Sequence, residues 1–230
     1  MTAPLVVFDL DGTLVDTAPD LIGTLNAVLA PEGLPPVAVD AARHLVGGGA
    51  RLMIERAFAA HQRACDERNL ERLFQDFIAH YGANIAELSR PFPGAMEALD
   101  DLESRGWRFA ICTNKLEGLA RQLLGALGII GRFPVICGQD TFGVPKPDPT
   151  PLIRTIAAAG GDRSAAVMVG DTTTDVRTAR AAQVPVIAVD FGYADVPLPQ
   201  LGADRTISSF AELAAAAETM LRRDEKAASG

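Results

Sequence analysis

Two carboxylates spaced two residues apart, Asp9 and Asp11, end an apolar run that begins at Leu5, and Gly12, Thr13 and Leu14 follow at once. Carboxylates so placed can hold a divalent cation, attack as a nucleophile or exchange a proton with a bound group. A calcium loop does not fit, because its sixth position must be glycine and, counted from Asp9, that position is Leu14. A second acidic pair, Asp171 and Asp175, lies in Gly170-Asp171-Thr172-Thr173-Thr174-Asp175, again directly after an apolar run. Between the pairs, Thr113-Asn114-Lys115 puts a hydroxyl and an amide at a helix start, where backbone N–H groups favour an anion. Lys146 stands between Pro145 and Pro147, so its backbone is stiff and its side chain has a defined direction.

Each feature has a plainer reading when taken alone. Asp9 and Asp11 could sit in a solvated turn, Thr113 and Asn114 could cap a helix, Lys146 could lie in a surface turn, and Asp175 could occupy the first turn of a helix. Together they form a constellation: acids, a hydroxyl with helix-start donors, a cation and two further acids, each at a successive strand end. The carboxylates need a divalent cation to coexist, and carboxylate-plus-water coordination is the style of Mg²⁺. With a phosphate dianion and all four acids ionised, the site would hold about −6 against about +3 from the metal and one lysine. One carboxyl is therefore expected to carry a proton when substrate binds, as a general acid must.

The elements that must position these groups follow from the hydrophobic pattern. Leu5–Phe8, Arg108–Cys112, Val135–Cys137, Ala166–Val169 and Pro185–Val189 read as strands, and the first, fourth and fifth are continuous enough to be buried on both faces. Helical spacing covers Gly94–Arg105, Leu116–Leu127, Thr150–Ala159 and Thr173–Ala182, followed by a short strand at Thr206 and Ile207 and a helix over Ser209–Leu221. This alternation predicts an α/β fold, a doubly wound, Rossmann-like parallel sheet formed by residues 1–15 and 91–222. Residues 16–90 differ in kind. They show no convincing strand, and Leu21–Ala30, Asp40–Leu45, Ala50–Ala59 and Leu70–Ile85 read as helix, an inserted α-helical cap with polar or Pro/Gly-rich edges suited to hinges. Residues 223–230 read as a disordered tail.

Composition bounds the partners. A net charge of −8 argues against nucleic acid, whose binding rests on neutralising phosphates with cations. The longest stretch free of charged residues and histidine, Leu21–Pro31, is too short for a membrane helix. Met1–Asp11 has no basic residue and does not read as a secretory signal, so a cytoplasmic location is expected. Cys65, Cys112 and Cys137 fit neither a disulfide framework nor a zinc site and are expected to be buried thiols.

The four charged segments, in this order and spacing, resemble the motifs of the haloacid dehalogenase-like hydrolase superfamily over nearly the whole chain. The second acid, Asp11, places the resemblance with its phosphatases and phosphomutases, and the helical insertion resembles that superfamily's movable cap. Ala18-Pro19-Asp20-Leu21, Gly33-Leu34-Pro35-Pro36, Val46-Gly47-Gly48-Gly49-Ala50-Arg51, Phe92-Pro93-Gly94 and Phe191-Gly192-Tyr193 are similar to stretches of the bacterial phosphoglycolate phosphatases.

The resemblance implies a Mg²⁺-dependent phosphomonoester hydrolase acting on a small phosphate ester. Asp9 would become an aspartyl phosphate, and Asp11 would serve as general acid and base. The metal would be held by the Asp9 carboxylate, the Asp11 backbone carbonyl and Asp171, with Asp175 orienting a water on it. Thr113, the Asn114 backbone and Lys146 would hold the phosphoryl oxygens. A sugar-phosphate phosphatase or phosphomutase uses the same chemistry. A receiver-type phospho-acceptor domain also clusters acids and a lysine at strand ends, but the helical insertion counts against it. The Gly47-Gly48-Gly49 loop either reaches the non-phosphate end of the substrate, helped by Arg43, His44 or Arg51, or is a plain turn between helices.

Overall fold

The computed structural model describes residues 2–39 and 45–228, with side-chain surroundings given through residue 222. The strands are β1 (Leu5–Phe8), β2 (Val15–Asp16), β3 (Arg90–Pro91), β4 (Arg108–Cys112), β5 (Val135–Cys137), β6 (Ala166–Gly170), β7 (Val186–Val189) and β8 (Arg205–Ile207). The helices are α1 (Ala18–Leu29), α2 (Ala50–Ala60), α3 (Glu67–Ala83), α4 (Ala95–Ser104), α5 (Glu117–Ala126), α6 (Thr150–Ala158), α7 (Thr173–Ala182), α8 (Leu198–Leu201) and α9 (Leu213–Ala228). None of them is long and apolar enough to cross a membrane.

Strand β1 is apolar at every position because both of its faces are covered. Val6 and Phe8 join Phe109, Ile111, Val167 and Val169 on one face of the sheet, while Leu5 and Val7 join Ala110, Cys112, Ala166 and Met168 on the other. Helices α4, α5 and α9 cover the first face with Leu99, Leu102, Leu123, Leu124 and Leu213. Helices α6 and α7 cover the second with Leu152, Ile156, Val176 and Ala179. Each buried leucine contributes about 1.5–3 kcal/mol through the apolar area it removes from water.

All six strands of this sheet run parallel, in the order β5-β4-β1-β6-β7-β8. The chain builds outward from β1 through β4 to β5, then crosses to β6 on the opposite side of β1. A crevice therefore opens beyond the carboxyl ends of β1, β4 and β6, the place where sheets of this kind bind ligands. The expected doubly wound core is what the chain forms.

Helices α1 and α2 pack on α3, whose buried Leu70, Leu73, Phe77 and Tyr81 make one apolar stripe. Asp66 caps α3 by accepting a hydrogen bond from the Asn69 amide at 2.8 Å. Helix α1 begins at Ala18, earlier than the apolar pattern indicates, because Pro19 falls in the first turn, where its missing N–H is no loss. The helix read over Asp40–Leu45 lies largely outside the described residues.

Other features also depart from the sequence reading. Val15 and Asp16 pair antiparallel with Pro91 and Arg90, so the two edges of the insertion form one ribbon; two residues carry no period and left no strand signal. Helix α9 continues past Leu221 to Ala228. Cys112 and Cys137 are buried thiols, but Cys65 is only partly buried.

The ribbon is anchored by Asp20 on α1. Its carboxylate accepts hydrogen bonds from the Leu88 amide at 3.0 Å, the Ser89 amide at 2.8 Å and the Ser89 hydroxyl at 2.6 Å. Asp20→Ala leaves the buried Ser89 donors unpaired and should lower unfolding free energy by about 1.5–3 kcal/mol, read as a shift of the urea midpoint at unchanged m-value.

Candidate active site

At the end of β1 the chain must turn sharply while keeping both acids over the crevice. Gly12 makes that turn with φ +83, and a Cβ there would stand 2.4 Å from Asp171 Oδ2. Only glycine has both the backbone freedom and the room. Thr13, one residue on, donates its hydroxyl to Asp171 Oδ1 at 2.7 Å, and the Tyr193 amide donates to Asp171 Oδ2 at 2.7 Å. Both oxygens of Asp171 are thus oriented by groups distant in sequence.

Asp175 is held differently. Its Oδ2 accepts from the Asp171 and Thr172 amides at 3.2 and 3.1 Å and from the Thr172 hydroxyl at 2.8 Å. Its Oδ1 accepts from Lys146 Nζ at 2.7 Å. The first turn of α7 therefore serves as a clamp that faces one carboxylate oxygen toward the lysine. Lys146 Nζ also lies 3.0 Å from Asp9 Oδ1, but off the hydrogen-bonding direction, so this buried oxygen has no hydrogen-bond partner.

Asp9, Asp171 and Asp175 are all buried, and each offers a carboxylate oxygen within 4.8 Å of the others. Burial raises the Asp9 carboxyl to about 6; Lys146 pulls it down, while Asp175 and Asp11 push it up. Burial, then Asp175 and Asp9, holds Asp171 well above the usual carboxylate range. Burial disfavours the Lys146 ammonium, yet Asp175 and Asp9 more than compensate and keep it charged. Three desolvated acids against one lysine form an anionic cage of oxygen donors, which fits a small divalent cation.

Thr113 and Asn114 follow β4 beside this cage. Thr113 is buried, its amide donates to the Cys137 carbonyl at 2.9 Å, and its hydroxyl accepts from the Lys115 amide at 3.2 Å. The Asn114 side chain brackets the lysine loop: its Nδ2 donates to the Lys146 carbonyl at 3.0 Å and its Oδ1 accepts from the Lys146 amide at 2.9 Å. That side-chain role was not legible in the sequence.

Asp11 faces a second lysine. Lys115 Nζ donates to both Asp11 oxygens at 2.8 and 2.9 Å, and its ammonium stands 4.5 Å from the centre of the Tyr81 ring of α3. Lys115 adds a positive charge that the count of one lysine omitted. Its position beside Thr113-Asn114 was visible in the sequence, but the direction of its side chain was not.

The crevice continues into a cleft between sheet and insertion. Met53, Phe74, Phe77 and Ile78 of α2 and α3 face Leu116 and Leu119 across it, while Asp9, Asp11 and Thr113 lie at its polar end. Gly47 and Gly49 also line it. With φ +85, Gly49 comes so close that a Cβ would be 3.4 Å from the Asn114 carbonyl oxygen and the Gln139 side chain. The triple-glycine segment therefore lies against the strand ends and is more than a turn between helices. Arg51 is not among the lining residues: it is half-exposed, pairs with Glu71 and lies over Phe74. Arg43 and His44 fall outside the described residues.

The family profile for haloacid dehalogenase-like hydrolases matches residues 6–189. The chain belongs to this family. It is 50% identical over 210 residues to a phosphoglycolate phosphatase of Mesorhizobium japonicum, covering 91% of this chain and 92% of that protein. It is 49% identical over 211 residues to a phosphoglycolate phosphatase of Agrobacterium fabrum, covering 92% of this chain and 91% of the relative. A crystal structure from Haemophilus somnus, described as a predicted phosphoglycolate phosphatase, superposes with a TM-score of 0.85 at 28% identity, over 94% of this chain and 98% of that one. The likeness to family members thus spans core and insertion together.

The raised Asp9 carboxyl carries a stability consequence for the metal-free hydrolase. An acid whose folded pKa lies above its unfolded value stabilises the fold below the unfolded value and loses that contribution as pH rises through the folded one. For Asp9 the window runs from 3.8 to about 6. In chelator, the melting temperature of wild type minus that of Asp9→Asn should therefore fall across this window, and a divalent cation should raise the wild-type value most above it. Calorimetric scans between pH 4 and 7 measure both.

Proposed function

We propose that this hydrolase is a Mg²⁺-dependent phosphomonoester phosphatase acting on phosphoglycolate through an aspartyl phosphate on Asp9. The observation that carries the reading is the juxtaposition of Asp9, Lys146, Asp171 and Asp175 at the sheet's switch point, at the polar end of a cleft between sheet and insertion. The names of the relatives supply the substrate. The metal would be held by the carboxylates of Asp9 and Asp171 and the Asp11 backbone carbonyl, with Asp175 beside them. When bound, it supplies neutralising charge to the phosphoryl oxygens and to the attacking carboxylate.

In the first half-reaction a carboxylate oxygen of Asp9 forms a bond to phosphorus as the ester P–O bond breaks. The leaving alkoxide takes the proton carried by Asp11, which becomes a carboxylate. In the second, Asp11 takes a proton from water as the water oxygen attacks phosphorus, and the acyl phosphate bond breaks to return the Asp9 carboxylate and inorganic phosphate. Thr113, the backbone at Asn114 and Lys146 hold the phosphoryl oxygens in line, so the protein's share is positioning and charge neutralisation. The anchored insertion sets this reading apart from a receiver domain, which has none.

Turnover of phosphoglycolate should require Mg²⁺ and cease in excess chelator; activity that persists there would remove the metal from the reaction. Ca²⁺ should inhibit, because a larger ion with more ligands engages both oxygens of a carboxylate and so occupies the attacking one.

The two acids of the first motif should separate cleanly. Asp9→Asn should abolish turnover of every ester. Asp11→Asn removes an acid worth about 10²- to 10⁴-fold in rate, yet an aryl phosphate leaves nearly unaided as a phenolate. That variant should give one equivalent of phenolate in a burst and then stall, whereas equal loss of burst and steady state would show the roles to be misassigned.

A further inference from the structure

Resting on the phosphatase reading, we propose that Lys115 and the Tyr81 hydroxyl form the subsite for the substrate's carboxylate, and that Lys115 releases Asp11 on binding it. Among the described residues lining the cleft, Lys115 carries the only positive charge. Lys146, by contrast, lies deeper, its ammonium shared between Asp175 and Asp9. Arg51, the described arginine that the sequence offered for this task, is engaged by Glu71 and does not line the cleft.

The second observation is independent of charge. Tyr81 is fully buried and lines the cleft, and its hydroxyl makes no well-formed hydrogen bond, with the Lys115 ammonium as its polar neighbour. A buried hydroxyl without a well-formed hydrogen bond costs free energy, and this one accompanies the ring over which the Lys115 ammonium stands. A carboxylate entering there would accept from both groups, one carried by the sheet and one by the insertion. A neutral hydroxymethyl end would gain little from either.

The geometry also ties selection to catalysis. Lys115 binds both oxygens of Asp11, so neither is free to turn toward an ester oxygen while that pair is made. A substrate carboxylate that takes over the ammonium leaves Asp11 free to swing to the leaving oxygen. An ester without a carboxylate finds Asp11 still held. Lys115 thereby acts on Asp11 as a positioning residue and on the substrate as a specificity residue.

The test compares phosphoglycolate with 2-hydroxyethyl phosphate, which lacks only the carboxylate, using Lys115→Met, Lys115→Arg and Tyr81→Phe in Mg²⁺. Lys115→Met should lower kcat/KM for phosphoglycolate by about 10- to 100-fold beyond its effect on 2-hydroxyethyl phosphate, the range of one charged hydrogen bond. The extra loss should fall mainly in KM. Lys115→Arg should restore part of the preference, and Tyr81→Phe, which keeps the ring, should raise KM for phosphoglycolate alone. Equal losses on the two esters would overturn the subsite, as would a selective loss carried by Arg51→Ala while Lys115→Met keeps the preference. Wild-type protein that hydrolyses neither these esters nor 4-nitrophenyl phosphate would overturn the phosphatase reading itself, an outcome distinct from both.

Discussion

Three carboxylates, Asp9, Asp171 and Asp175, are buried within 4.8 Å of one another, and like charges removed from water repel strongly. Much of the surrounding structure serves to hold that arrangement. Lys146 supplies the opposing charge, the Asn114 side chain fixes the loop that carries it, and Thr13 and the Tyr193 amide orient Asp171. The cost falls on Asp9 and Asp171, whose carboxyls are held above their ordinary range by burial first and by neighbouring acids next. A site under that constraint offers a set of oxygen donors that fits a cation and gives Asp9 an oxygen without a hydrogen-bond partner.

The sheet makes this burial possible. Parallel strands covered on both faces deliver their ends to one edge, and the rigid β1, β4 and β6 bring four acids and a threonine there without relying on long loops. Tyr193 links that edge to the hinge ribbon: its amide bonds Asp171, while its hydroxyl donates to Asp16 and accepts from the Ala18 amide at 2.9 Å. Asp171 and the start of the insertion are therefore one hydrogen-bonded unit.

The insertion gives the cleft its apolar wall and brings Tyr81 over Lys115. Core and insertion each contribute one half of the ammonium's surroundings, so the cleft is defined only when the two lie together. The glycines at 47 and 49 permit that approach: both have positive φ, and a Cβ at Gly47 would stand 3.1 Å from the Thr172 methyl.

The sequence by itself determined the sheet, its flanking helices and the acids at the strand ends. Leu5–Phe8, Arg108–Cys112, Val135–Cys137 and Thr173–Ala182 appear in the structure at the bounds their hydrophobic patterns indicated, because burial on one face or two is written into neighbouring residues. Asp9, Asp11, Asp171 and Asp175 were legible for the same reason: each terminates or closely follows such a run. Tertiary structure decided what pairs with what. The Lys115–Asp11 pair spans 104 residues, the Tyr193–Asp16 hydrogen bond 177, and the β2–β3 ribbon joins the two edges of the insertion. None of these has a local period, and a side chain's direction at a loop is set by the backbone that packs across it, which only the folded chain supplies.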